Sequence, residues 1–397
     1  MNKLNYEKTL LLGFGFFAIN ITWSVYNSFM PILLSSYIAS TALIGFIMTI
    51  DNYLAFFIQP AIGAYSDKIN TRFGRRMPFL LIGMPLAAIC TILIPYHTGL
   101  ITLILALLGM NLSMSIFRSP VIALMPDLTH KEHRSKANSL INFMGGVGAL
   151  TAYFIGSLLW KIDYKYPFYL AGVLILISCI VVFAFINEKR DVIEYETAEE
   201  KINIKMGLQA AFKDRNTKYL LLAIAAWFIG FNGIETFFTR YGSVYLGLEV
   251  SDASLSFAFL SLSVLVFAVP SGIIGTRIGK KKSIMIGIIG GIIGFSILLF
   301  LRNINEIRLV FLMQGVCWAL INVNSYPFVA EMAPKGYIGT YTGLYYMFSS
   351  VANIISPPLL GGIIDIVGYR YMFLYGLFFF AVALCMMARI KEKKPSS

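Results

Sequence analysis

Long apolar stretches alternate with short polar and basic segments along nearly the whole chain. Stretches of about 20 or more mostly apolar residues recur from Leu10 onward, and each could cross the roughly 30 Å of bilayer hydrocarbon as a helix. The strict two-residue alternation of a membrane β-barrel strand is not the pattern here. The sequence therefore predicts an all-α integral membrane protein.

Charge clusters and turn residues divide the chain into twelve apolar spans, which predict twelve transmembrane helices. The predicted spans are 9–34, 42–66, 77–96, 99–125, 137–160, 166–187, 218–246, 252–276, 283–301, 307–331, 338–364 and 370–388. The first span exceeds the length of a signal-peptide core and has no small-residue cleavage site behind it, so we expect a retained helix.

Composition and charge sharpen this picture. The chain is 58% hydrophobic and only 13% charged, whereas soluble domains are about 25% charged, which excludes a soluble enzyme. Most of the 32 Lys and Arg residues fall in alternate loops, and the positive-inside rule then places those loops and both termini in the cytoplasm. The net charge of +12 therefore needs no nucleic-acid partner.

The longest polar stretch predicts the domain organisation. It separates six spans from six spans, so we expect an N-terminal bundle over 1–187, a cytoplasmic linker over 188–217 and a C-terminal bundle over 218–397. Within the linker, residues 201–212 could form an amphipathic helix at the membrane surface, although a solvated loop has the same loose pattern.

A weak parallel repeat relates the two halves. Gly63–Arg76 and Gly272–Lys282 are both glycine-led helix ends followed by a basic turn, after the second and eighth spans. The segment PVIALMP from Pro120 matches PFVAEMAP from Pro327 at the inner ends of the fourth and tenth spans. Such repeats are typical of transporters, and this one predicts two pseudo-symmetric six-helix bundles.

Three segments carry a family resemblance. They are Gln59–Phe79 (QPAIGAYSDKINTRFGRRMPF), Arg118–Ser139 (RSPVIALMPDLTHKEHRSKANS) and Trp227–Phe238 (WFIGFNGIETFF). In this order they resemble signatures of the major facilitator superfamily, and within it of the sucrose and glycoside symporters, including solute-carrier-45-like and glycoside–pentoside–hexuronide-related members.

The resemblance implies a function. It implies proton-coupled uptake of a sugar or glycoside, foremost a disaccharide similar to sucrose or maltose, by alternating access in the inner (plasma) membrane. The resemblance also implies that sugar and protons are the partners and that lipid surrounds the protein. It further implies that the monomer is the working state and that neither a metal nor another cofactor is needed. The paired aspartates of melibiose-type members are replaced here by Ala55 and Gln59, so their sodium site is not implied, and the coupling ion stays open between proton and sodium.

Three ionisable residues lie within the spans, where an unpaired charge costs several kcal/mol. We expect Glu235 to be a proton-coupling carboxylate; the alternative is a structural role, either as a partner of Arg240 or in an inter-helix hydrogen bond. Asp51 is a second candidate for the same role. The resemblance implies that Arg118 binds sugar hydroxyls or pairs with the coupling acid; the alternative is that its long side chain reaches toward the inner surface.

Neutral polar and aromatic side chains near the middle of the spans are candidates for sugar binding, because sugars need stacking faces and many hydrogen-bond partners. Spacings of three and four residues give the first span one polar face. For each candidate, packing or contact with lipid is the alternative. The candidates are Asn20, Trp23, Asn27, Asn111, Trp227, Asn232, Asn322, Asn324, Tyr345 and Asn353.

Charged residues at the inner helix ends are predicted to form inter-helix pairs that gate the cytoplasmic side during alternating access. They are Asp67, Arg72, Arg75, Arg76, Asp127, Arg134, Glu331 and Lys335. Two other functions stay open, a proton-driven exporter of hydrophobic compounds and a transport-inactive sensor. A membrane enzyme is not expected, because no HExxH, GxSxG or P-loop motif occurs in the sequence.

Overall fold

The computed structural model describes residues 4–191, 204–334 and 337–391, and the regular elements among them are helices. Twelve of these helices are long and apolar enough to cross a membrane. Each matches one predicted span to within three residues at both ends, so the prediction of an all-α, twelve-helix membrane fold is confirmed. The helices are α1 (Tyr6–Ser35), α2 (Thr41–Lys68), α3 (Met77–Tyr96), α4 (Leu100–Asp127), α5 (Lys136–Ile162), α6 (Tyr166–Phe185), α7 (Arg215–Tyr245), α8 (Val250–Ile278), α9 (Lys280–Leu298), α10 (Ile304–Met332), α11 (Ile338–Val367) and α12 (Tyr369–Ala388).

The chain forms two compact units. Unit 1 comprises Met1–Ala39, Ile47–Glu196 and Gly242–Ala258, and unit 2 comprises Ser40–Phe46, Thr197–Tyr241 and Phe259–Ser397. In unit 1, α1 packs on α5 and α6, and α3 packs on α4 and α6. In unit 2, α7 packs on α11 and α12, and α9 packs on α10 and α12. Helices six positions apart therefore form equivalent pairs, which is the arrangement that a parallel repeat produces.

Glycines allow these helices to approach closely. A Cβ atom at Gly148 of α5 would lie 2.6 Å from the carbonyl oxygen of Phe17 in α1. A Cβ atom at Gly287 of α9 would lie 2.7 Å from the carbonyl oxygen of Cys317 in α10. Van der Waals packing of small residues is a main driving force for helix association in lipid, and Gly148 and Gly287 both lie at such helix contacts.

The helix α2 is interrupted. It consists of Thr41–Met48 and Ile50–Lys68, with Thr49 between them as the N-cap residue of the second part. Two further irregularities are π-helical turns at Ala152–Gly156 in α5 and Tyr241–Tyr245 in α7. Such departures from regular helix often occur at functional sites, and the interruption of α2 falls directly before Asp51.

Part of the predicted linker is helical. Glu188–Asp191 forms one turn after α6, and Ile204–Lys213 forms a helix before α7. The predicted amphipathic segment 201–212 overlaps this second helix from Ile204 onward. Residues 192–203 lie outside the described part of the chain.

Glu188 caps the start of α3. Its buried carboxylate accepts hydrogen bonds of 2.8 to 2.9 Å from the backbone N–H groups of Arg75, Arg76 and Met77. A carboxylate at this place satisfies donors that a helix leaves unpaired and interacts favourably with the helix dipole. Gly74 makes the approach possible, because it has a φ of +112° and its missing Cβ would overlap the Glu188 side chain.

We expect Gly74→Ala to destabilise the protein more than Gly279→Ala. Gly279 precedes α9 with a φ of +96° and has no neighbouring atom within 4 Å of its Cβ position. It is therefore a matched control for backbone strain alone, which costs about 1–3 kcal/mol. Gly74→Ala also displaces Glu188 and weakens hydrogen bonds to a charged group, worth about 1.5–3 kcal/mol each. Thermal unfolding in detergent measures the difference, and equal shifts would contradict this account of the cap.

Candidate functional site

In unit 1, the interruption of α2 places Asp51 in the first turn of Ile50–Lys68. An acidic residue in a first turn is stabilised by the helix dipole. The side-chain amide of Asn52 donates a 2.9 Å hydrogen bond to Oδ1 of Asp51. The guanidinium of Arg118, on α4, attracts the Asp51 carboxylate electrostatically. Two of the three predicted membrane charges therefore lie in one group.

Two aromatic residues of α1 complete this group. The guanidinium carbon of Arg118 lies 5.9 Å from the ring centroid of Trp23, within the range of a cation–π interaction. The ring of Tyr26 stands edge-on to Trp23, with centroids 5.5 Å apart and an interplanar angle of 85°. The hydroxyl of Tyr26 donates a 3.2 Å hydrogen bond to the carbonyl oxygen of Met48, at the interruption of α2.

Polar atoms without hydrogen-bond partners surround this group. The amide of Asn111 is fully buried and interacts with the hydroxyl of Tyr26, but its Nδ2 and Oδ1 make no hydrogen bond of full geometry among the described residues. The indole N–H of Trp23 is in the same situation. A buried polar group left unsatisfied costs about 1–3 kcal/mol, so these atoms mark a place where a polar ligand can bind favourably.

The predicted sugar-binding residues of α1 lie in different surroundings. Trp23 belongs to the group around Asp51, whereas the Asn20 amide donates to the carbonyl of Phe16 at 2.9 Å and lies against Gly145 of α5. Asn27, one turn after Trp23, is half-buried. Sequence reasoning missed Tyr26, although its spacing of three residues from Trp23 placed it on the same helical face.

Unit 2 contains a second group of polar and aromatic residues. Asn232 of α7 and Asn353 of α11 are joined by a side-chain hydrogen bond. Beside them in sequence, Phe231 stacks on Trp318 with centroids 3.9 Å apart and an angle of 9°. Trp227 is fully buried and its indole N–H has no hydrogen-bond partner within the described ranges. Sequence reasoning missed Trp318, although a tryptophan in the middle of an apolar span is itself a sign of a stacking surface.

The remaining candidates of unit 2 occupy different surroundings. Glu235 follows Asn232 by three residues, so it shares the same side of α7, and it is half-buried. The hydroxyls of Tyr345 and Ser325 are 3.2 Å apart and share a hydrogen bond between α11 and α10. Asn322 is exposed.

Asn324 joins three helices of unit 2. Its buried amide nitrogen lies 3.1 Å from the carbonyl oxygen of Ser271 in α8, 3.1 Å from Oγ of Ser283 in α9 and 2.9 Å from the carbonyl oxygen of Leu320 in α10. These contacts use the donors of the amide. They favour a packing role, which was the alternative for each predicted sugar ligand.

A charge network in unit 1 joins the end of α2, the start of α3 and the end of α4. Arg76 is only 5% exposed and pairs with Asp67, with Ser66 and, through Nε at 3.1 Å, with Asp127. Arg75 pairs with the same Asp127 carboxylate at 3.0 Å. Removal of one partner from a buried ion pair strongly destabilises a protein. We therefore expect the residues of this network to depend on one another.

The remaining residues of the predicted gating set make other contacts. Arg72 lies 4.6 Å over the ring of the following residue, and Arg134 donates a 3.0 Å hydrogen bond to a carbonyl near the end of α4. In unit 2, Glu331 forms an ion pair with Lys280. Lys335 lies outside the described residues.

Asp191 ties the end of the first half to its beginning. It forms ion pairs with Lys8, which precedes the apolar part of α1, and with Arg190. Burial alone would raise the pKa of this carboxyl, but the hydrogen bonds and charges of Arg190 and Lys8 outweigh it, and the pKa lies below its usual range. Its contribution to stability is therefore present above the ordinary carboxyl pKa and is lost as the pH falls through the lowered value.

The sequence model of the Major Facilitator Superfamily matches residues 12–357 and 245–397. The chain belongs to the major facilitator superfamily. It is therefore a multi-pass membrane transporter and not an enzyme, and it resembles the sugar symporters of that superfamily.

Several superfamily members with known names are similar to this chain. The isoprimeverose transporter of Lactiplantibacillus pentosus is 23% identical over 75% of this chain and 65% of its own. The proton-associated sugar transporter A of Mus musculus is 25% identical over 39% of this chain and 23% of its own. Multidrug resistance protein 2 of Bacillus subtilis is 21% identical over 99% of this chain and 98% of its own.

A solved structure supports the fold. The nucleoside transporter NupG superimposes with a TM-score of 0.78 over 97% of this chain and 100% of that chain, at 16% identity. A likeness at this level of identity establishes the major facilitator fold and leaves the substrate to be argued from the residues.

We expect Asn324→Ala to lower stability and Asn322→Ala to leave it unchanged. The first substitution removes hydrogen bonds to α8 and α9 and leaves their acceptors buried, at a cost of about 1–3 kcal/mol, whereas Asn322 is exposed two residues away. The thermal unfolding midpoint in detergent measures both. If Asn324→Ala keeps its midpoint and instead weakens substrate binding, the packing role of Asn324 is wrong.

Proposed function

We propose that this protein takes up a sugar or glycoside together with protons by alternating access. A disaccharide similar to sucrose or maltose is the foremost substrate, the location is the inner (plasma) membrane, and both termini are cytoplasmic. The group of Asp51, Arg118 and Trp23 in unit 1, with unpartnered polar atoms beside it, carries this proposal. The similarity to an isoprimeverose transporter and a proton-associated sugar transporter supports it.

The chemistry of the group suits a sugar. The face of Trp23 offers a stacking surface to the C–H groups of a pyranose ring. The fork of donors on Arg118 and the amide of Asn111 can each bind neighbouring hydroxyls. We propose Trp23, Arg118 and Asn111 as the substrate contacts of unit 1, and Asn232, Asn353 and Tyr345 as those of unit 2.

The same group can couple sugar to protons. When Asp51 is ionised, its carboxylate attracts Arg118; when it takes up a proton, Arg118 is released to donate to the sugar. The sugar and the proton then favour each other's binding, which is the linkage that a symporter requires. Glu235 of unit 2 is a second carboxylate for this role. Ala55 and Gln59, in place of paired aspartates, favour protons over sodium.

The inner charge networks are proposed to act as gates. Arg76 with Asp67 and Asp127 in unit 1, and Lys280 with Glu331 in unit 2, hold inner helix ends by pairs that can break and re-form. Replacement of one partner is expected to slow turnover more than it changes substrate affinity.

Export of hydrophobic compounds is the second candidate function. The similarity to multidrug resistance protein 2 over nearly the whole chain favours it, as do the stacked rings of Phe231 and Trp318. Export leaves the polar group around Asp51 without a substrate partner, which is why we place it second.

Sugar-triggered proton uptake tests the proposed function. We expect sucrose or maltose, added to right-side-out vesicles that contain the protein, to make the outer medium more alkaline, because protons enter with the sugar. A pH electrode or an external pH dye records the change, and vesicles without the protein are the control. No alkalinisation with any sugar of a broad panel, together with expulsion of a hydrophobic dye, would instead support the exporter.

Separate substitutions of the two carboxylates test coupling. We expect both Asp51→Asn and Glu235→Gln to abolish uphill accumulation driven by a proton gradient while sugar exchange continues, because each mimics a permanently protonated acid. Radiolabelled sugar uptake and counterflow in proteoliposomes measure the two activities. Asp252→Asn is the control. The Asp252 carboxylate forms an ion pair with Lys161 at a distance of 3.2 Å, and it is not one of the proposed coupling or substrate residues. Unimpaired uphill uptake by either variant removes that residue from the coupling role.

A further inference from the structure

The interruption of α2 has a specific cause. No proline or glycine occurs between Phe46 and Asn52, so the usual breakers of a helix do not explain it. In a continuous helix the carbonyl of Met48 would accept from the N–H of Asn52, four residues later. Here that carbonyl accepts from the hydroxyl of Tyr26, and the Asn52 N–H donates to the carbonyl of Thr49 at 3.0 Å instead. Tyr26 therefore takes the place of Asn52 in the helical hydrogen-bond ladder.

Tyr26 is held firmly in unit 1. It is 2% exposed and its ring packs edge-on against Trp23 of the same helix. It also interacts electrostatically with Asp51, two residues beyond Thr49. The hydroxyl that interrupts α2 thus belongs to the same group of residues as the proposed coupling carboxylate.

Most of the part of α2 before the interruption, up to Phe46, belongs to unit 2. Ser40–Phe46 belongs to that unit, in which Asp365 of α11 accepts from the Ser40 hydroxyl at 2.8 Å and from the N–H groups of Thr41 and Ala42 at 2.7 and 3.0 Å. Asp365 therefore caps the first turn of Thr41–Met48.

Close packing adds to this cap. A Cβ atom at Gly361 would overlap the carbonyl group of Thr41, so the helix lies directly against α11. The chain passes from unit 2 to unit 1 between Phe46 and Ile47, three residues before Thr49.

We propose that the interruption at Thr49 is a joint that links the protonation of Asp51 to the movement of Thr41–Met48, and that Tyr26 is the positioning residue that keeps this joint open. The proposal rests on the proposed coupling role of Asp51. In the ionised state, Asp51 faces Arg118 from α4, Tyr26 from α1 and its neighbour Asn52. The negative charge of Asp51 makes the Tyr26 hydroxyl a weaker donor, so loss of that charge strengthens the hydrogen bond to Met48 and holds the interruption of α2 open more firmly.

Amide hydrogen exchange tests the joint without any substrate. The experiment compares the full-length protein with Asp51→Asn, Tyr26→Phe and the double variant, in detergent, on peptides that cover residues 46–54. We expect Tyr26→Phe to slow exchange there by about fivefold, the factor that one hydrogen bond of ordinary strength is worth, because Met48 becomes free to accept from Asn52. We expect Asp51→Asn to speed exchange in the wild-type background, because Tyr26 then holds the Met48 carbonyl more strongly, and to have little effect in the Tyr26→Phe background.

Two further variants keep the test decisive. Tyr375→Phe removes a buried hydroxyl that donates to the carbonyl of Ser356 at 3.3 Å in unit 2, and it should leave exchange over 46–54 unchanged. Thr49→Ala, which introduces a stronger helix former, should slow exchange as Tyr26→Phe does. Equal effects of Asp51→Asn in both Tyr26 backgrounds, or unchanged exchange in both Tyr26→Phe and Thr49→Ala, would overturn the proposal.

Transport measurements distinguish failure of the proposed joint from failure of the proposed proton–sugar symport. With sucrose or maltose as the probe, Tyr26→Phe should lower proton-driven accumulation while the KM of exchange stays close to the wild-type value. If Asp51→Asn uncouples transport but Tyr26→Phe behaves as the wild type, the joint is wrong and the symport function stands. If the exchange pattern is as expected but no sugar moves protons, the joint stands and the symport function is wrong.

Discussion

A hydrocarbon bilayer offers no hydrogen-bond partners, so the protein itself must satisfy every polar group that it carries into the membrane. Most of the structure follows from this constraint. The backbone is helical throughout the candidate spans, and where α2 departs from a regular helix, the hydroxyl of Tyr26 meets the carbonyl that is set free. Asn324 is held by atoms of three helices. Against this background, the indole N–H of Trp23 stands out, because it is buried and has no hydrogen-bond partner in the part of the chain that the structure describes.

The two units solve the same packing problem with different charges. Equivalent helix pairs meet in both, and glycines allow the close approach in both. At the inner turn of unit 1, Arg76 is surrounded by acidic partners, whereas unit 2 has Thr276 where the first half has Asp67 and relies on the pair of Lys280 and Glu331. The repeat therefore preserves the helical framework, whereas the ion pairs at corresponding helix ends differ between the two units.

The twelve spans could be predicted from the sequence because the length of an apolar run and its charged ends are set locally by the bilayer. The grouping of Asp51 with Arg118 could be predicted only in part. The energetic cost of a buried charge indicates that such residues have partners but does not identify those partners. The interruption at Thr49 was not accessible, because Thr and Ile at that place carry no helix-breaking signal and the cause is a hydroxyl 22 residues away in sequence. Asn322 and Asn324 look alike in the sequence, and only the neighbouring helices distinguish the exposed one from the buried one.

The cap of α3 has a consequence for how the chain is made. Glu188 is synthesised 112 residues after Arg76, whose N–H it accepts, and Asp191, which pairs with Lys8, follows three residues later. While the ribosome is still producing α4 and α5, the start of α3 therefore lacks its acceptor and α1 lacks its anionic partner. These contacts of α1 and α3 can form only once α6 has left the ribosome, so docking of the segment Glu188–Asp191 is the closing step in assembly of the first six helices.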